Sequence, residues 1–538
     1  MQEKTIPQKQ KKQKKKGKWL GRLGFIILQL FVVALFILFF SLIWAKANYG
    51  NVSMEEIVFH LNMPAEGVSE DAVGDYLRNA LRPSLIASAV YFLLLIFPRN
   101  HRFSFSLGSK EKGYRFQVLP LRLPAWCQSF ILIICFFLIF QETDRYFSMT
   151  EYVIGQIQTS SFIEENYVPA DSVQITFPKE KRNLICIYLE SAETSSQDKA
   201  NGGLFDVNYI PELTRIAKEN VSFSHSTLLE GAAVAPDGSW TMAGLVAETA
   251  GLPLKLPPEY NNRLRYYEYF LPGVVSLGEI LEKEGYTNYF MAGSDFSFGG
   301  RRHYFEQHGD YVVYDYLWAK NTKKIPKDYQ VFWGFEDEKL FAFAKEVLPM
   351  IAAKGEPFNF SMLTVDTHAP WGYVCPLCKD TYSSQYANVW ACSSAQVGAF
   401  VDWLKEQDFY DNTVVYICGD HLSMNSIFYG VNTKDTYLGQ NIRKVYNAIL
   451  NAAAEPVKET DRKFTTLDMF PTVLGALGVE IENERLGLGT NLFSDEETLP
   501  EKYGYEYMYT ELKKKSLFFD RELLYPKEED LKKNNSEK

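Results

Sequence analysis

The sequence predicts an α/β fold with a mostly parallel sheet, preceded by N-terminal transmembrane helices. Beyond about residue 180, strand-like and helix-like patterns alternate, which is typical of parallel strands joined by helices. Before residue 145, three apolar runs are each close to the length that crosses a bilayer. A chain of 538 residues is also too long for one ordinary domain. The chain is therefore expected to consist of a membrane part and one large domain.

The first apolar run, Gly24 to Ala45, is interrupted only by Gln29 and Ser41. It predicts a transmembrane helix and not a cleaved signal peptide, because it is long and lacks a small-residue cleavage site. Leu85 to Phe97 and Ala125 to Phe140 reach spanning length with a few added residues, and a buried or re-entrant helix is the alternative for the former. The predicted divisions are a basic tail 1–23, a membrane domain 24–145, a linker 146–178, a large domain 179–495 and a charged C-terminal tail 496–538.

Charges in the connecting segments predict the orientation of the membrane domain. The N-terminal tail and the 98–124 loop are basic, whereas residues 46–80 carry six acidic side chains against two basic ones. Basic loops face the cytoplasm, so three crossings place everything beyond Gln141 on the outer side of the membrane. The net charge of −10 argues against nucleic acid as a partner.

In the large domain the elements are predicted from periodicity and turn residues, taken in chain order. The first strand runs from Leu184 to Glu190, and Pro211 suits the first turn of the helix that follows. The later elements are a helix at Val275–Glu284, strands at Thr287–Ala292, Phe358–Val365 and Thr413–Asp420, a helix at Ser393–Lys405, a strand at Val445–Leu450 and a late helix at Thr466–Gly478.

Acidic and imidazole groups stand where two predicted strands end. Glu190 ends the first strand, and Asp420 with His421 ends a later one; open α/β sheets place their sites at such strand ends. Thr241 lies in a small-residue stretch before an apolar run, where a helix cap is the alternative role. A threonine needs a metal ion or a base to act as a nucleophile. Together these four side chains form an O,O,O,N set that suits Mn²⁺, Zn²⁺ or Mg²⁺.

Four ordered stretches carry a family resemblance: Tyr-Leu-Glu190-Ser, Trp-Thr241-Met-Ala-Gly, Val-Asp366-Thr-His368-Ala-Pro and Gly-Asp420-His421-Leu-Ser-Met-Asn. From about residue 179 to residue 492 the chain resembles the alkaline phosphatase/sulfatase superfamily. Within it, the chain looks like the branch of lipoteichoic acid synthases and phosphoglycerol transferases. The second and fourth stretches are most similar to phosphoglycerol transferases that decorate periplasmic glucans.

The resemblance implies an extracellular alkaline-phosphatase-like domain with one divalent metal ion, Mn²⁺ ahead of Mg²⁺ or Zn²⁺. It implies that Thr241 is the nucleophile and that Glu190, Thr241, Asp420 and His421 are the metal ligands. Sulfatases proper carry Cys/Ser-x-Pro-x-Arg at the nucleophile, and this chain has neither Pro nor Arg in the corresponding Ser-Trp-Thr-Met-Ala.

The resemblance also implies substrate contacts. Arg301 is expected to face the donor phosphate, because a guanidinium meets phosphate oxygens with two hydrogen bonds and stays charged. His368 is expected to contact the phosphate or leaving group as a general acid. Asp295 is expected to hold the glycerol hydroxyls, and Asp366 to orient its neighbours without binding the metal.

The activity implied is transfer of glycerol phosphate from phosphatidylglycerol to an exported glycopolymer or glycolipid acceptor through a threonine-linked intermediate. The enzyme would be embedded in the membrane beside its lipid donor. A phosphoethanolamine transferase, or a phosphodiesterase or phosphatase of the same superfamily, is the alternative. A catalytically silent, membrane-bound lipid or polymer binder is the alternative from another class.

Three of the seven cysteines, Cys375, Cys378 and Cys392, lie outside apolar spans and core strands. The Cys375-Pro-Leu-Cys378 pair suggests zinc binding or redox chemistry, but no second pair or nearby His completes a ligand set in the sequence. In an extracellular domain, one disulfide among the three is expected, with Cys392 as one partner.

Overall fold

The computed structural model describes residues 8–49, 52–62, 70–93, 103–107, 114–118, 125–236, 238–256, 269–430 and 443–525. Parts of four predicted segments lie outside them: the start of the basic tail, the end of the second apolar run, most of the 98–124 loop and the last residues of the C-terminal tail. The chain divides into two units, one of Met1–Asn48 with Glu70–Tyr146 and one of Tyr49–Ser69 with Phe147–Lys538.

The helices and strands of the described residues are numbered in chain order. The helices are α1 Gln8–Asn48, α2 Met54–Asn62, α3 Glu70–Tyr76, α4 Arg82–Tyr91, α5 Ala125–Phe147, α6 Met149–Ile157, α7 Phe162–Asn166, α8 Pro211–Glu219, α9 Thr241–Ala250, α10 Leu277–Lys283, α11 Arg301–Gln307, α12 Tyr316–Asn321, α13 Asp337–Ala352, α14 Gln385–Lys405, α15 Ser426–Tyr429, α16 Met469–Ala476, α17 Leu499–Tyr503 and α18 Tyr505–Lys513. The strands are β1 Phe103–Leu107, β2 Tyr114–Val118, β3 Ile175–Thr176, β4 Asn183–Leu189, β5 Thr287–Ala292, β6 Val312–Tyr314, β7 Phe358–Leu363, β8 Thr413–Gly419, β9 Asn447–Leu450, β10 Glu480–Ile481, β11 Arg485–Leu486 and β12 Gly489–Thr490.

The first unit contains α1, α3, α4 and α5. Within the described residues, the part of α1 from Leu23 to Asn48 is the one helix long and apolar enough to cross a membrane. Hydrogen bonds join the C-terminal half of α1 to α3 and α5. Trp44 Nε1 donates to Asp75 at 2.7 Å, and the Tyr146 hydroxyl donates to the Ala45 carbonyl at 3.1 Å. The first predicted span is thus supported, and a multi-pass arrangement stays a prediction.

The second unit is built on a six-stranded sheet in the order β6-β5-β7-β4-β8-β9. All neighbours are parallel except β8 and β9, which are antiparallel. Every residue of β4 and β8 is buried, which explains their continuous apolar sequence. Alternate residues of β4 enter two separate cores: Leu184, Cys186 and Tyr188 enter one, and Ile185, Ile187 and Leu189 enter the other. The predicted, mostly parallel α/β sheet is confirmed.

Several segments differ in detail from the sequence prediction. Helix α14 begins at Gln385 and not at Ser393, because the Ser384 side chain caps it by accepting from the Ala387 N–H. The predicted linker contains α6 and α7, and Phe162 of α7 is buried. Residues 496–525, predicted as a charged tail, include α17 and α18, in which Met508 and Leu512 recur at helical spacing and are buried.

The three sulfur atoms expected to supply a disulfide are unbonded. Cys375 Sγ lies 3.7 Å from Cys378 Sγ and 3.6 Å from Cys392 Sγ, and all seven cysteines of the chain are free thiols. A disulfide requires a sulfur separation of about 2.05 Å. The expected pairing is therefore absent from this structure, although the three residues do come together.

A buried ion pair holds the loops at the carboxyl ends of β4 and β8. Arg443 Nε donates to Glu193 Oε2 at 2.7 Å and Arg443 Nη2 to Oε1 at 2.5 Å, and neither side chain is exposed to solvent. Arg443 also donates to the Ser423 carbonyl at 2.7 Å, and the Ser423 N–H donates to Glu193 at 3.1 Å. The pair therefore fixes the loop that follows His421.

We predict that Glu193→Gln lowers the free energy of unfolding of this unit by about 3–5 kcal/mol, because it removes the carboxylate that pairs with the buried Arg443 charge. Denaturant unfolding of the full chain measures the change. The control is Asp206→Asn, which removes an exposed ion pair with Lys199 and leaves the transition unchanged. Equal stability of the two variants would contradict the assigned role.

Candidate active site

The register of β4 and β8 brings two acidic residues together. Leu189 pairs with Gly419, so Glu190 and Asp420 follow side by side at the carboxyl edge of the sheet. His421 comes next in the chain. Ligand atoms of these three side chains all lie within 4.8 Å of one another, and all three residues are buried. The sheet topology thus assembles an O,O,N set from positions 230 residues apart in sequence.

Hydrogen bonds to the outer atoms orient the set inward. His421 Nδ1 lies 2.9 Å from the Leu422 carbonyl, which can only accept, so Nδ1 carries a proton and Nε2 is the inward nitrogen. This Nε2 lies 3.3 Å from Glu190 Oε1 and 3.6 Å from Asp420 Oδ2. Asp420 Oδ1 accepts the backbone N–H groups of Ser191 and His421, both at 2.8 Å.

The inward oxygen, Asp420 Oδ2, is buried and has no hydrogen-bond partner among the described residues. Buried polar atoms are normally satisfied, so an orphaned carboxylate oxygen beside an imidazole nitrogen needs an explanation. Two carboxylates and a neutral imidazole are ligands that divalent ions such as Mn²⁺ or Zn²⁺ accept. The residues present therefore fit one divalent ion.

The charges in the set depend on one another. Burial alone would raise the pKa of Glu190, but the charges of His421 and His368 outweigh it and lower that pKa to about 2. Burial alone would lower the pKa of His421, yet the carboxylates of Asp420 and Glu190 raise it to about 10. Burial raises the pKa of Asp420 to about 7. Without a metal ion, a proton on His421 thus supplies positive charge that the carboxylates require.

Thr241 is the first residue of α9 and faces this set. Its Oγ1 donates to Glu190 Oε2 at 3.3 Å. The N-cap position belongs to Trp240, and no side chain caps this helix end. The hydroxyl therefore does not serve as the cap that was the alternative role. The positive end of the helix macrodipole favours negative charge on an oxygen at this position.

A glycine allows α9 to approach the strand end closely. A Cβ at Gly244 would lie 2.0 Å from the Asp420 carbonyl oxygen, so no side chain fits there. The small residues after Thr241 thus have a structural reason. They let the start of the helix lie directly against the residue that supplies one of the carboxylates.

Arg301 opens α11 and is buried, after Gly299 and Gly300, which adopt positive φ angles of 63° and 76°. Its Nη2 donates to Ser294 Oγ and to the Asp295 carbonyl, both at 2.9 Å. Burial lowers the pKa of Arg301 to about 10, partly offset by the charge of Glu190 and other carboxylates. The guanidinium is thus fixed, charged and within electrostatic reach of the metal-ligand set.

His368 is half-buried, and its ring contacts Trp333 with the centroids 5.0 Å apart. Its Nδ1 lies 2.8 Å from the Ala369 carbonyl, so Nδ1 carries a proton and Nε2 is the nitrogen available for proton transfer. Its charge contributes to the low pKa of Glu190. Asp295, by contrast, uses its carboxylate to accept the Ser297 N–H at 2.9 Å.

Sequence reasoning missed three groups of supporting residues. Ser191 donates its hydroxyl to Glu190 Oε1 at 2.6 Å, and its position beside Glu190 was the available signal. The Asp337 carboxylate accepts the backbone N–H groups of Val365 and Asp366 at 2.8 and 3.1 Å, and so holds the loop that leads to His368. Burial raises the pKa of Asp337 to about 7 and that of Asp366 to about 10.

Helix α2 is the third of these groups, and no sequence signal pointed to it. Its Glu56 is buried and interacts electrostatically with His421. Its Phe59 packs on Trp240, the residue before Thr241, with ring centroids 5.7 Å apart. Residues far upstream of the sheet therefore contribute to the surroundings of the site.

A single protein-family model matches the part of the chain that contains both the six-stranded sheet and the candidate metal ligands. The family model "Sulfatase" matches residues 182–479, more than half of the chain. Phosphoglycerol transferase I of Escherichia fergusonii is 32% identical over 328 residues, covering 59% of this chain and 40% of the relative. Phosphoglycerol transferase I of Xanthomonas campestris is 29% identical, covering 64% and 47%. The chain spans less than half the length of these relatives.

The chain also aligns with solved structures. The lipoteichoic acid synthase LtaP from Listeria monocytogenes aligns with a TM-score of 0.45 and 18% identity, over 62% of this chain and 82% of that one. The lipooligosaccharide phosphoethanolamine transferase A from Neisseria meningitidis aligns with a TM-score of 0.46 and 13% identity, over 84% of each chain.

We predict that a divalent ion displaces protons when it binds this site. At pH 7 His421 is protonated because its folded-state pKa lies above the pH, whereas a metal ligand must be a neutral imidazole. Mn²⁺ binding should therefore release about one proton per ion above pH 7 and more below it, where Asp420 also binds a proton. Isothermal titration in buffers of different ionisation enthalpy counts these protons.

The apparent affinity for Mn²⁺ should accordingly rise about tenfold per pH unit between pH 7 and 9. Asp206→Asn is the control, because Asp206 is an exposed residue outside the ligand set and its replacement should keep the same pH slope. An affinity that does not change with pH would show that His421 is not a ligand.

Proposed function

Since this chain belongs to the sulfatase family, we propose that it is a metal-dependent phosphoglycerol transferase anchored in a bacterial membrane. The observation that carries this proposal is the Thr241 hydroxyl, which donates to Glu190 at 3.3 Å beside the buried Asp420 and His421. An activated threonine serves phosphoryl transfer through a covalent intermediate. The nucleophile region lacks the Cys/Ser-x-Pro-x-Arg pattern of sulfatases proper, so sulfate ester hydrolysis is not proposed.

Glu190, Asp420 and His421, with Thr241, would hold the divalent ion, and Mn²⁺ is the ion we propose. When bound, it supplies a Lewis acid that lowers the pKa of the threonine hydroxyl and neutralises charge on phosphoryl oxygens. The hydroxyl hydrogen of Thr241 points toward Glu190 Oε2, which turns the oxygen lone pairs toward the substrate. The start of α9 adds a favourable field for the developing negative charge.

In the first half-reaction, the Thr241 hydroxyl loses its proton to water, Oγ1 forms a bond to the phosphorus of phosphatidylglycerol, and the bond to the diacylglycerol oxygen breaks. His368 gives a proton from Nε2 to the departing oxygen, since its Nδ1 is engaged by the Ala369 carbonyl. In the second half-reaction, an acceptor hydroxyl gives its proton to the same Nε2 and its oxygen bonds to the phosphorus. The bond from phosphorus to Thr241 Oγ1 breaks, and Oγ1 takes a proton back from water. The histidine thus returns to its starting state.

Arg301 is proposed to pair with the phosphoryl oxygens. Its guanidinium is held in place by Ser294 and the Asp295 carbonyl, so little conformational entropy is lost when it meets an anion. Asp295 is proposed to contact the glycerol hydroxyls. The carboxylate is tied to the Ser297 N–H, so this contact would use its remaining acceptor capacity.

The donor is proposed from the relatives, which are named phosphoglycerol transferase I. The acceptor is proposed to be an exported glycopolymer or glycolipid. The apolar helix Leu23–Asn48 supports membrane anchoring, and the basic and acidic loops support a multi-pass topology with the sulfatase domain outside. That location would give the site access to the outer lipid leaflet and to exported acceptors.

We predict that Thr241→Ala lowers transfer from labelled phosphatidylglycerol by at least about a thousandfold, because the covalent route depends on this oxygen. Thr241→Ser is the matched control and should retain measurable transfer, since it keeps the hydroxyl. Both variants should fold, because the side chain lies at a helix start and is only partly buried. Undiminished transfer by Thr241→Ala would contradict the mechanism, and transfer from phosphatidylethanolamine alone would contradict the donor.

A further inference from the structure

The thiol cluster of Cys375, Cys378 and Cys392 has no part in the proposed reaction. Cys375 and Cys378 lie in residues 369–384, the loop between His368 and α14, which we call the strap. Cys392 lies on α14. Among the described residues it is one of two sets of ligand-type side chains close enough to hold a metal ion, the other being the acidic set at the active site. All three sulfur atoms lie within 4.8 Å of one another.

The separations between the sulfur atoms match those of thiolates around one metal ion. Zinc binds thiolate sulfur at about 2.3 Å with tetrahedral geometry, which places two sulfur ligands about 3.8 Å apart. The measured separations are 3.7 Å between Cys375 and Cys378 and 3.6 Å between Cys375 and Cys392. The free-thiol cluster is thus close to the arrangement that a zinc ion requires.

The surroundings are those of a thiolate site. The Cys378 N–H donates to the Cys375 carbonyl at 3.0 Å, which closes the turn of the Cys-x-x-Cys pair. The side-chain N–H of Gln396 donates to Cys375 Sγ at 3.8 Å. Gln396, one turn after Cys392 on α14, donates its side-chain N–H to Cys392 Sγ at 3.4 Å. Such donors stabilise sulfur ligands from the second coordination sphere.

Burial also matters for the charge of the three sulfur atoms. Cys375 and Cys392 are 2% and 8% exposed, so solvent screens them little. A divalent cation among the three sulfur atoms would stabilise their thiolate forms. Cys378 is only partly buried, so water can reach a fourth coordination position there.

We infer that Cys375, Cys378 and Cys392 bind a second, thiophilic metal ion, with Zn²⁺ as the preferred ion and water as the fourth ligand. Binding converts the three thiols to thiolates and releases their protons to solvent. The ion joins the strap after His368 to α14. The strap is otherwise held by backbone bonds, such as that from the Tyr373 N–H to the Asp366 carbonyl at 2.7 Å. This site is separate from the catalytic ion and does not depend on the proposed reaction.

Cobalt substitution of the full chain, purified in detergent with reductant, tests the inference. Thiolate-bound Co²⁺ gives an intense charge-transfer absorption that carboxylate and imidazole ligands do not give. We expect this band in the unaltered chain and in Glu190→Ala, which removes a ligand of the other site. It should be lost in Cys378→Ser, whose partly exposed position makes folding insensitive to the change. Cys135→Ser, an exposed cysteine of α5, is the matched control and keeps the band.

Zinc analysis should likewise find one ion fewer per chain in Cys378→Ser than in Cys135→Ser. The inference is overturned if the unaltered chain gives no thiolate charge-transfer band. It is also overturned if peptide mapping of chain purified without reductant shows a disulfide among the three cysteines. Neither result would affect the proposed transfer reaction, which the Thr241 variants test separately.

A different observation concerns α2, whose apolar side lies against the active site. Phe59 is 1% exposed and packs on Trp240, and Ser239 Oγ lies 3.5 Å from Ser53 Oγ. Glu56, one turn before Phe59, is buried and interacts electrostatically with His421. Ser53 and α2 therefore contact the two residues that directly precede Thr241.

A row of aromatic rings leads from α2 to His368, the proposed general acid, and forms a wall beside the site. His60 stacks on Phe298 with centroids 5.5 Å apart, Phe298 contacts Trp333 at 5.3 Å, and Trp333 contacts His368 at 5.0 Å. A wall of this kind displaces water from the face of the site that it covers. A transferase with a covalent intermediate needs such exclusion, because water competes with the acceptor hydroxyl.

We also propose, resting on the proposed function, that α2 directs the threonine-linked intermediate to the acceptor by excluding water. Phe59→Ala should raise the ratio of free glycerol phosphate to transferred product about tenfold. Leu61→Ala is the matched control, since Leu61 lies on the same helix but is 66% exposed, and it should leave the ratio unchanged. Full-length chain with labelled phosphatidylglycerol and a glycolipid acceptor provides both readouts.

An unchanged ratio in Phe59→Ala, with total turnover of the lipid retained, overturns the role of α2 and leaves the transferase proposal standing. Failure of the proposed function would show differently, as an absence of both products from the unaltered chain. If Phe59→Ala unfolds, the milder Phe59→Leu replaces it, and the same change in the ratio is expected at smaller size.

Discussion

The site depends on one constraint, which is the burial of two carboxylates and an imidazole side by side at the ends of β4 and β8. Their charges cannot be screened by solvent, so each group needs a partner. Ser191 and the backbone around Asp420 satisfy the outer oxygens, and the Leu422 carbonyl fixes the imidazole. The inward-facing atoms of Glu190, Asp420 and His421 carry excess negative charge. A divalent ion or a proton must balance it.

The rest of the fold positions reactive groups around that set. Gly244 lets α9 begin against Asp420, so the Thr241 oxygen lies at the positive end of a helix and next to Glu190. Two residues with positive φ before Arg301 turn its side chain inward. The Asp337 carboxylate holds the loop of His368 through two backbone hydrogen bonds. The proposed nucleophile, cation and acid thus come from separate segments but lie at the same edge of the sheet.

The fold class and the candidate metal ligands could be predicted from the sequence, because the signals for them lie in short stretches of neighbouring residues. Glu190, Asp420 and His421 each follow a continuous apolar strand, and a parallel sheet brings strand ends together whatever the intervening length. Glu56 could not be found in this way, because one acid in an acidic loop has the same appearance as a solvated charge. Cys392 was expected as a disulfide partner of one of the other two cysteines, and the structure places it beside Cys375 as a free thiol. Spacing relates Cys375 to Cys378, but only the packing of α14 brings Cys392 to them.

The central claim is that the Thr241 oxygen carries the transferred group, and the most direct test is to isolate that intermediate. The full chain would be supplied with Mn²⁺ and phosphatidylglycerol without acceptor, quenched in acid, and its peptides analysed by tandem mass spectrometry. The account predicts a glycerophosphoryl group on Thr241 that disappears when acceptor is added before the quench. Formation of product with no adduct, or with the adduct on another residue, would contradict it.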